Sequence, residues 1–389
     1  MSARTTITDP RAQVSMHTFT PPPATYYDPP VSAPLSVVDP VSDGATVGVV
    51  TDQGVRDAGL VTTVTDGTEV ATVYDDVESN PSLETAAAAA DALADVDVAV
   101  AVGGGSVMDT AKAACARPAF GSVAAIRSTP ADETPPAPDA ATPCVCVPTT
   151  AGTGTETGHW AVLSDHDAGE KVSVGHPVLK PAAAVLDPGL TASLPPGLTA
   201  MTGFDVITHA VEAFVSTDAS PLTDPLAVAA FEAALDALPN AVDGDERARD
   251  RMLTASYNAG LAMNNAGLGA VHAISHAVGG RYDTPHGLTN AALLPAVVDA
   301  NRRGSERARR RYAALAERAG LPGGELSDRL RRLLERPPLD TSTLPRLDGV
   351  DDDLVAWALD NVNMTTNPAA LQPADVRRIC RIAFGRGDR

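Results

Sequence analysis

Two short apolar runs, residues 96–102 (VDVAVAV) and 144–147 (CVCV), each lead directly into a glycine-rich turn. Runs this short and this rich in β-branched residues have the pattern of strands buried on both faces, as in a parallel sheet. The first opens into Gly103, Gly104, Gly105 and Ser106 and then into a helical stretch, VMDTAKAACA; the second opens into Pro148-Thr149-Thr150-Ala151-Gly152-Thr153-Gly154-Thr155-Glu156. Strands at 46–51 and 69–74 and a helix capped at Ser82 extend the alternation to about Asp187, which implies a parallel sheet with helices on both faces. Residues 44–192 therefore read as an α/β domain. Leu194-Pro195-Pro196 marks a hinge. Beyond it the helical patterns at 228–238, 249–264, 307–319 and 351–361 give an all-α domain over 193–389. Residues 1–43 are rich in Pro and Thr with little periodicity, an irregular arm, and 128–143 reads as a surface loop.

The same junctions point to a ligand. A glycine turn between strand and helix lets the backbone approach a phosphate, and the new helix offers free N–H groups. The threonine hydroxyls of the second loop suit phosphate and ribose oxygens, and ligands of parallel sheets bind at the strands' carboxyl ends. The glycine triplet is not G-x-G-x-x-G. Either loop alone could be a tight turn or a surface loop; the pair favours a dinucleotide or phosphate site.

The helical half carries a second constellation. Asp205 and His209 stand four apart, so both side chains leave one helix face. His272, His276 and His286 follow in one Gly-rich segment, and four of the eight histidines fall in this window. Two further imidazoles would complete a four-ligand site. One carboxylate oxygen with three neutral nitrogens suits Fe²⁺ or Zn²⁺ and lacks the oxygen count that Ca²⁺ or Mg²⁺ wants. The competing reading is a set of helix-cap and core histidines.

Composition narrows the setting. A chain of 389 residues, 44% apolar, holds two domains with ample core. A net charge of −20 argues against nucleic acid, whose phosphates would be repelled. Only three of the 29 basic residues are lysines. An Asp-rich, Lys-poor balance reads as adaptation to a high-salt cytoplasm, with GC-biased codon usage as the alternative. Lys112 lies in the helical stretch that follows the glycine turn. No run of about 18 apolar residues gives a membrane span, and the N-terminal stretch lacks signal-peptide design, so a cytoplasmic protein is expected. Cys115, Cys144, Cys146 and Cys380 read as core thiols. Arg302, Arg303, Arg307 and Arg309 to Arg311 read as a salt-bridged helix face rather than an anion site.

The GGGSVMDTAK run, the PTTAGTGTE run, Asp187-Pro188, GFDVITHAVEAF and VHAISHAVGGRYDTPHG together resemble the iron-containing (group III) alcohol dehydrogenases, over roughly residues 44–385. The resemblance implies a dehydroquinate-synthase-like architecture, and an NAD(H)-dependent enzyme that interconverts an alcohol and an aldehyde or ketone, working as a homodimer. It places the metal on Asp205, His209, His272 and His286, and gives His276 the relay of the alcohol proton. Cofactor contacts carry over to Asp52, Asn80, Gly104, Gly105, Ser106, Asp109, Thr149, Thr150, Thr153 and Lys171; of these, Asn80 and Lys171 lie outside the five motifs. On residue grounds Asp52 has a second reading, as a helix cap. Three departures stand out. Tyr26-Tyr27-Asp28-Pro29-Pro30 replaces a Phe-Gly-x-Gly-like segment, Gly158 replaces a threonine, and Met263 occupies a pocket position often aromatic. Rival readings are a maleylacetate reductase, a glycerol or glycerol-1-phosphate dehydrogenase, a dehydroquinate-synthase-like lyase and a non-catalytic ligand sensor. The lyase needs several Lys and Arg residues around its substrate, and the helical half has no lysine.

Overall fold

The computed structural model describes residues 19–29, 34–41, 44–129, 133–166, 170–322, 325–336, 338–339, 341–347 and 350–385. Its first half is built on six parallel strands: β1 (Ala24–Tyr27), β2 (Val47–Val50), β3 (Val70–Tyr74), β4 (Val98–Gly103), β5 (Cys144–Pro148) and β8 (Ala183–Leu186). Their order across the sheet is β1-β8-β5-β4-β2-β3. An antiparallel hairpin, β6 (Trp160–Asp165) and β7 (Glu170–Gly175), stands apart from the sheet. The helices of this half are α1 (Gln53–Asp57), α2 (Leu60–Val64), α3 (Leu83–Ala92), α4 (Gly105–Phe120) and α5 (Val123–Ser128).

Alternation within each strand sorts the side chains by size. Val98, Val100, Val102, Val145 and Val147 face one layer, with Val64 and Leu190. Ala99, Ala101, Cys144 and Cys146 face the other, beneath α3 and α4. Successive side chains of a strand point to opposite faces, so VAVAV and CVCV place valines on one side and small residues where the helices lie. The four cysteines are free and buried.

Helices make up the second half: α6 (Pro196–Val215), α7 (Asp224–Val242), α8 (Glu246–Ala266), α9 (Ala270–Tyr282), α10 (His286–Gly304), α11 (Glu306–Arg318), α12 (Leu326–Leu334), α13 (Asp352–Asp360) and α14 (Pro373–Phe384). Pro196 opens α6 at the first helical position, where a missing N–H costs nothing. From Gly203 to Val215 every residue of α6 is buried, as befits a helix with neighbours on all sides. On α11, Arg311 pairs with Asp224, Arg309 pairs with Glu306, and Arg307 donates to the carbonyls of Val215 and Ser216. The arginine-rich stretch is thus used in ion pairs and in closing the C-terminal end of α6.

Two local expectations are corrected. The arm of residues 1–43 is not irregular throughout: among its described residues, 24–27 form edge strand β1 in register with β8. Its partner lies some 160 residues away in sequence, so no local periodicity announces it. Asp28, just beyond, adopts φ 51°, a left-handed conformation that Asp tolerates, where the resembled family's segment has glycines. Hairpin β6–β7 interrupts the expected strand–helix alternation. It exists because Ala161, Leu163, Val172 and Val174 pack with Phe120 and its neighbours on α4 and α5. The surface segment 128–143 is irregular where described, apart from one 3-10 turn at Pro138–Ala140.

Candidate metal and cofactor site

The carboxyl ends of β2, β4 and β5, where the sheet order reverses, carry the residues singled out for a dinucleotide. Gly104 is the N-cap of α4. A Cβ on Gly105 would come within 2.5 Å of Thr153 Cγ2, so only glycine lets the threonine loop close over the start of α4. Thr153 Oγ1 is buried without a hydrogen-bond partner among the described residues, an unused polar atom of the kind a bound ligand satisfies.

A cleft of about 420 Å³ lies between this edge and the helical half. Of the cofactor residues, Asn80, Gly105, Ser106, Asp109, Thr153 and Lys171 line it. Asp52, Gly104, Thr149 and Thr150 follow the carboxyl ends of β2, β4 and β5 and are not among the residues lining it. Asp52 Oδ1 accepts from Val55 N at 2.9 Å, so the capping reading is realised in the geometry. The Asp109 carboxylate is engaged by protein groups: Oδ1 takes the Thr155 hydroxyl at 2.5 Å, Oδ2 takes Val162 N at 2.9 Å, and Lys112 Nζ stands 3.4 Å away. Lys112 is itself fully buried and donates to Thr155 O and Oγ1. It fastens the threonine loop to α4 rather than facing the cleft. Ser106 Oγ donates to Ser79 O at 2.6 Å.

Asn80 and Lys171, distant in sequence, meet in space. Lys171 Nζ donates to Asn80 Oδ1 at 2.7 Å, and Asn80 Nδ2 donates to Asp283 Oδ1 at 2.6 Å, linking the α/β half to the end of α9. Burial pulls the Lys171 ammonium down to about 8, against the pull of Asp283 and Asp205.

At the far end of the cleft the histidines converge. Asp205 and His209 leave α6 on one face, His272 and His276 leave α9 four apart, and His286 opens α10. The Nε2 atoms of His209, His272 and His286 stand 3.7, 3.7 and 3.8 Å from one oxygen, Asp205 Oδ1. The ligand atoms of Asp205, His272 and His286 lie within 4.8 Å of one another. Ligands each about 2.0–2.2 Å from a tetrahedral ion stand roughly 3.3–3.6 Å apart, so the spacings from Asp205 Oδ1 are close to those of an assembled metal site, while His209 is near Asp205 but outside the group of three. The donor set, one carboxylate and imidazoles in a buried pocket, fits a borderline divalent ion.

The electrostatics follow from crowding. Burial would raise the Asp205 carboxyl, but the surrounding imidazoles, His209 first, hold it well below the ordinary range. Burial lowers His209, lowers His286 to about 3, and lowers His276 well below its ordinary value. His272 departs: burial lowers it too, yet Glu212 and Asp205 outweigh this and lift it to about 9. Glu212 Oε2 lies 2.5 Å from His272 Nδ1, and its Oε1 accepts from Val271 N at 2.7 Å. A carboxylate on Nδ1 leaves Nε2 to face Asp205. His276 lines the cleft with its Nδ1 buried and unpartnered among the described residues.

Glu212 and Asn290 were not singled out from the sequence, although spacing carries a signal for both. Glu212 follows His209 by three on the same helix face, and Asn290 follows His286 by four. Asn264 is a third: a Cβ at Gly158 would fall 2.0 Å from Asn264 Oδ1, so the amide from α8 fills the space that the missing threonine vacates. Met263 and Asn264 both line the cleft.

Residues 36–188 match the family described as iron-containing alcohol dehydrogenase, and residues 199–384 match the C-terminal region of that family. The 1-propanol dehydrogenase of Salmonella typhimurium is 39% identical over 299 residues, covering 72% of this chain and 76% of the relative. Long-chain-alcohol dehydrogenase 1 of Geobacillus thermodenitrificans is 38% identical over 355 residues, covering 86% and 89%. Among solved structures, a 1,3-propanediol oxidoreductase is similar with TM-score 0.80 at 31% identity, covering 95% of this chain and 100% of that one. Sulfoacetaldehyde reductase from Bifidobacterium kashiwanohense, solved in complex with NAD⁺, is similar with TM-score 0.83 at 27% identity, covering 96% and 100%.

Proposed function

The chain belongs to the iron-containing alcohol dehydrogenase family, and on that premise we propose that it oxidises a small neutral alcohol to an aldehyde or ketone, reversibly, with NAD⁺. The observation that carries the site assignment is the convergence of three imidazole Nε2 atoms on Asp205 Oδ1 at 3.7–3.8 Å, at the end of a cleft that begins at the glycine and threonine loops. Asp205, His209, His272 and His286 would hold Fe²⁺ or Zn²⁺. When bound, the ion supplies Lewis acidity toward the substrate oxygen and the dinucleotide accepts a hydride.

The protein's own groups do the rest. Gly104, Gly105 and Ser106 present backbone N–H groups at the start of α4 to a diphosphate. Asn80 and Lys171 orient the nicotinamide end, and Asp52 receives the adenosine ribose hydroxyls. His276, kept neutral by burial and with no partner for its Nδ1 among the described residues, accepts the alcohol proton and passes it toward solvent.

Substrate charge separates this reading from its rivals. Lys171 is the single Lys or Arg among the described residues lining the cleft, and it is tied to Asn80. Asp205 and Asp218 share that lining. A phosphate or a second carboxylate would find only that one Lys or Arg there, which disfavours maleylacetate, glycerol 1-phosphate and the lyase substrate. The proposal extends to a cytoplasmic homodimer adapted to salt; it is supported by the net charge of −20, and no described helix is long and apolar enough to cross a membrane. The test is NADH formation from ethanol, 1-propanol, 1,3-propanediol and glycerol 1-phosphate. Turnover of the neutral alcohols is expected, and preference for the phosphate ester would contradict the reading.

A further inference from the structure

Asn290 is completely buried one helical turn after His286. Its Nδ2 lies 2.7 Å from Asp205 Oδ1, 3.0 Å from His286 Nε2 and 3.2 Å from His272 Nε2. One amide nitrogen thus touches three of the four atoms proposed to bind the ion. Its Oδ1 is buried with no hydrogen-bond partner among the described residues.

An unpaired carbonyl in a dry interior is a cost to folding. A leucine, close to asparagine in size, would avoid that cost and pack well against the surrounding helices. Leucine cannot donate, however, and the donor is the half of the amide in use. A carboxylate oxygen offers two lone pairs. The amide takes one on Asp205 Oδ1 and fixes the direction of the other. Glu212 and Ser275 hold the outer nitrogens of His272 and His286, at 2.5 and 3.4 Å, while Asn290 sits against their inner nitrogens. The amide has two hydrogens and each Nε2 a single lone pair that the ion must take, so its standing bond is the one to Asp205 Oδ1, and against the two inner nitrogens it sets how near the rings come.

We propose that Asn290 is a positioning residue for the ligand cluster: its side-chain amide holds Asp205 Oδ1 and limits how near His272 and His286 come to it, and so sets the affinity of the site for its divalent cation. The inference rests on the metal reading above, and one experiment separates the two. Metal-stripped wild type, His272→Ala and Asn290→Leu are titrated with Zn²⁺ by equilibrium dialysis, with NAD⁺ binding and thermal unfolding of the stripped proteins measured alongside. Wild type should bind one Zn²⁺ per chain and His272→Ala should lose it. Asn290→Leu should bind roughly 10- to 100-fold more weakly, with NAD⁺ binding unchanged and an unfolding temperature no lower than that of stripped wild type. Wild-type affinity in Asn290→Leu overturns the inference alone, as does a drop in unfolding temperature without a change in affinity. A wild type that binds no Zn²⁺ and no Fe²⁺ overturns the metal reading with it. If Asn290→Leu does not fold, Asn290→Ala, which only removes atoms, is judged by the same outcomes.

Discussion

Glu212 Oε2 stands 2.5 Å from His272 Nδ1, with both side chains buried. The carboxylate accepts the Nδ1 proton, which turns Nε2 toward Asp205 and makes it the nitrogen that would hold the ion. Removing such an outer partner typically weakens metal binding by about 10- to 100-fold. Glu212→Ala should show that loss in a Zn²⁺ titration. Glu212→Gln, whose amide oxygen can still accept from Nδ1, should fall between it and wild type. Wild-type affinity in Glu212→Ala would remove this pair from the account.

His276 differs from the ligands in its surroundings. Its Nδ1 has no partner among the described residues, and a fifth protein ligand would close the position a substrate needs. His276→Ala should keep its metal while kcat falls by on the order of 10²-fold or less, because water can partly replace a proton relay, and the pH profile of kcat should shift. Metal loss as complete as in His272→Ala would reverse the assignment.

Glu156 gives a pH signature apart from the metal. Its carboxyl is buried, with Oε1 unpartnered among the described residues; burial raises it from 4.5 to about 7, against the pull of Lys112. A carboxyl with a raised folded-state pKa contributes stability that is fully present below its unfolded value and is lost as pH rises through the folded one. The loss is about 3 kcal/mol if the whole shift is realised. Glu156→Gln cannot ionise, so its stability relative to wild type should climb between about pH 4.5 and 7.5. Urea unfolding across that range is the check, and a difference independent of pH would show that Glu156 does not titrate as stated.

What could be read in advance was local. The VAVAV and CVCV strands and the Asp205/His209 pair follow from periods of two and four within one element. Glu212 and Asn290 had the same kind of spacing, but Glu and Asn on a helix have many common uses, so nothing in their type marked them. The rest depended on long-range pairing. Strand β1 is defined by β8, and the Lys171, Asn80 and Asp283 chain joins residues 91 and 203 positions apart. Asn264 over Gly158 was likewise invisible until α8 was packed against the loop. Asp109, marked for the cofactor, lines the cleft, and nothing in its sequence surroundings showed that Thr155, Val162 and Lys112 also engage its carboxylate.

Asp52 caps α1 and is proposed to select the cofactor as well. Its Oδ1 caps α1 through Val55 N, and the same carboxylate would repel the 2′-phosphate of NADP. Glycine replaces a cap at a cost of a few tenths of a kcal/mol. Asp52→Gly should therefore leave stability nearly unchanged while the kcat/KM ratio for NAD over NADP falls by roughly tenfold, equivalent to about 1.4 kcal/mol. An unchanged ratio would leave Asp52 as a cap only.

The central claim is that alcohol oxidation needs the ion held by Asp205, His209, His272 and His286. It is tested most directly by stripping the purified protein with a chelator and adding back Fe²⁺ or Zn²⁺ while following NADH formation from 1-propanol. The account predicts that the stripped protein still binds NAD⁺ but forms no NADH. It also predicts that activity returns in proportion to ion bound, saturates at one per chain, and does not return in His272→Ala. Full turnover by the stripped protein, or equal recovery by His272→Ala, would contradict it.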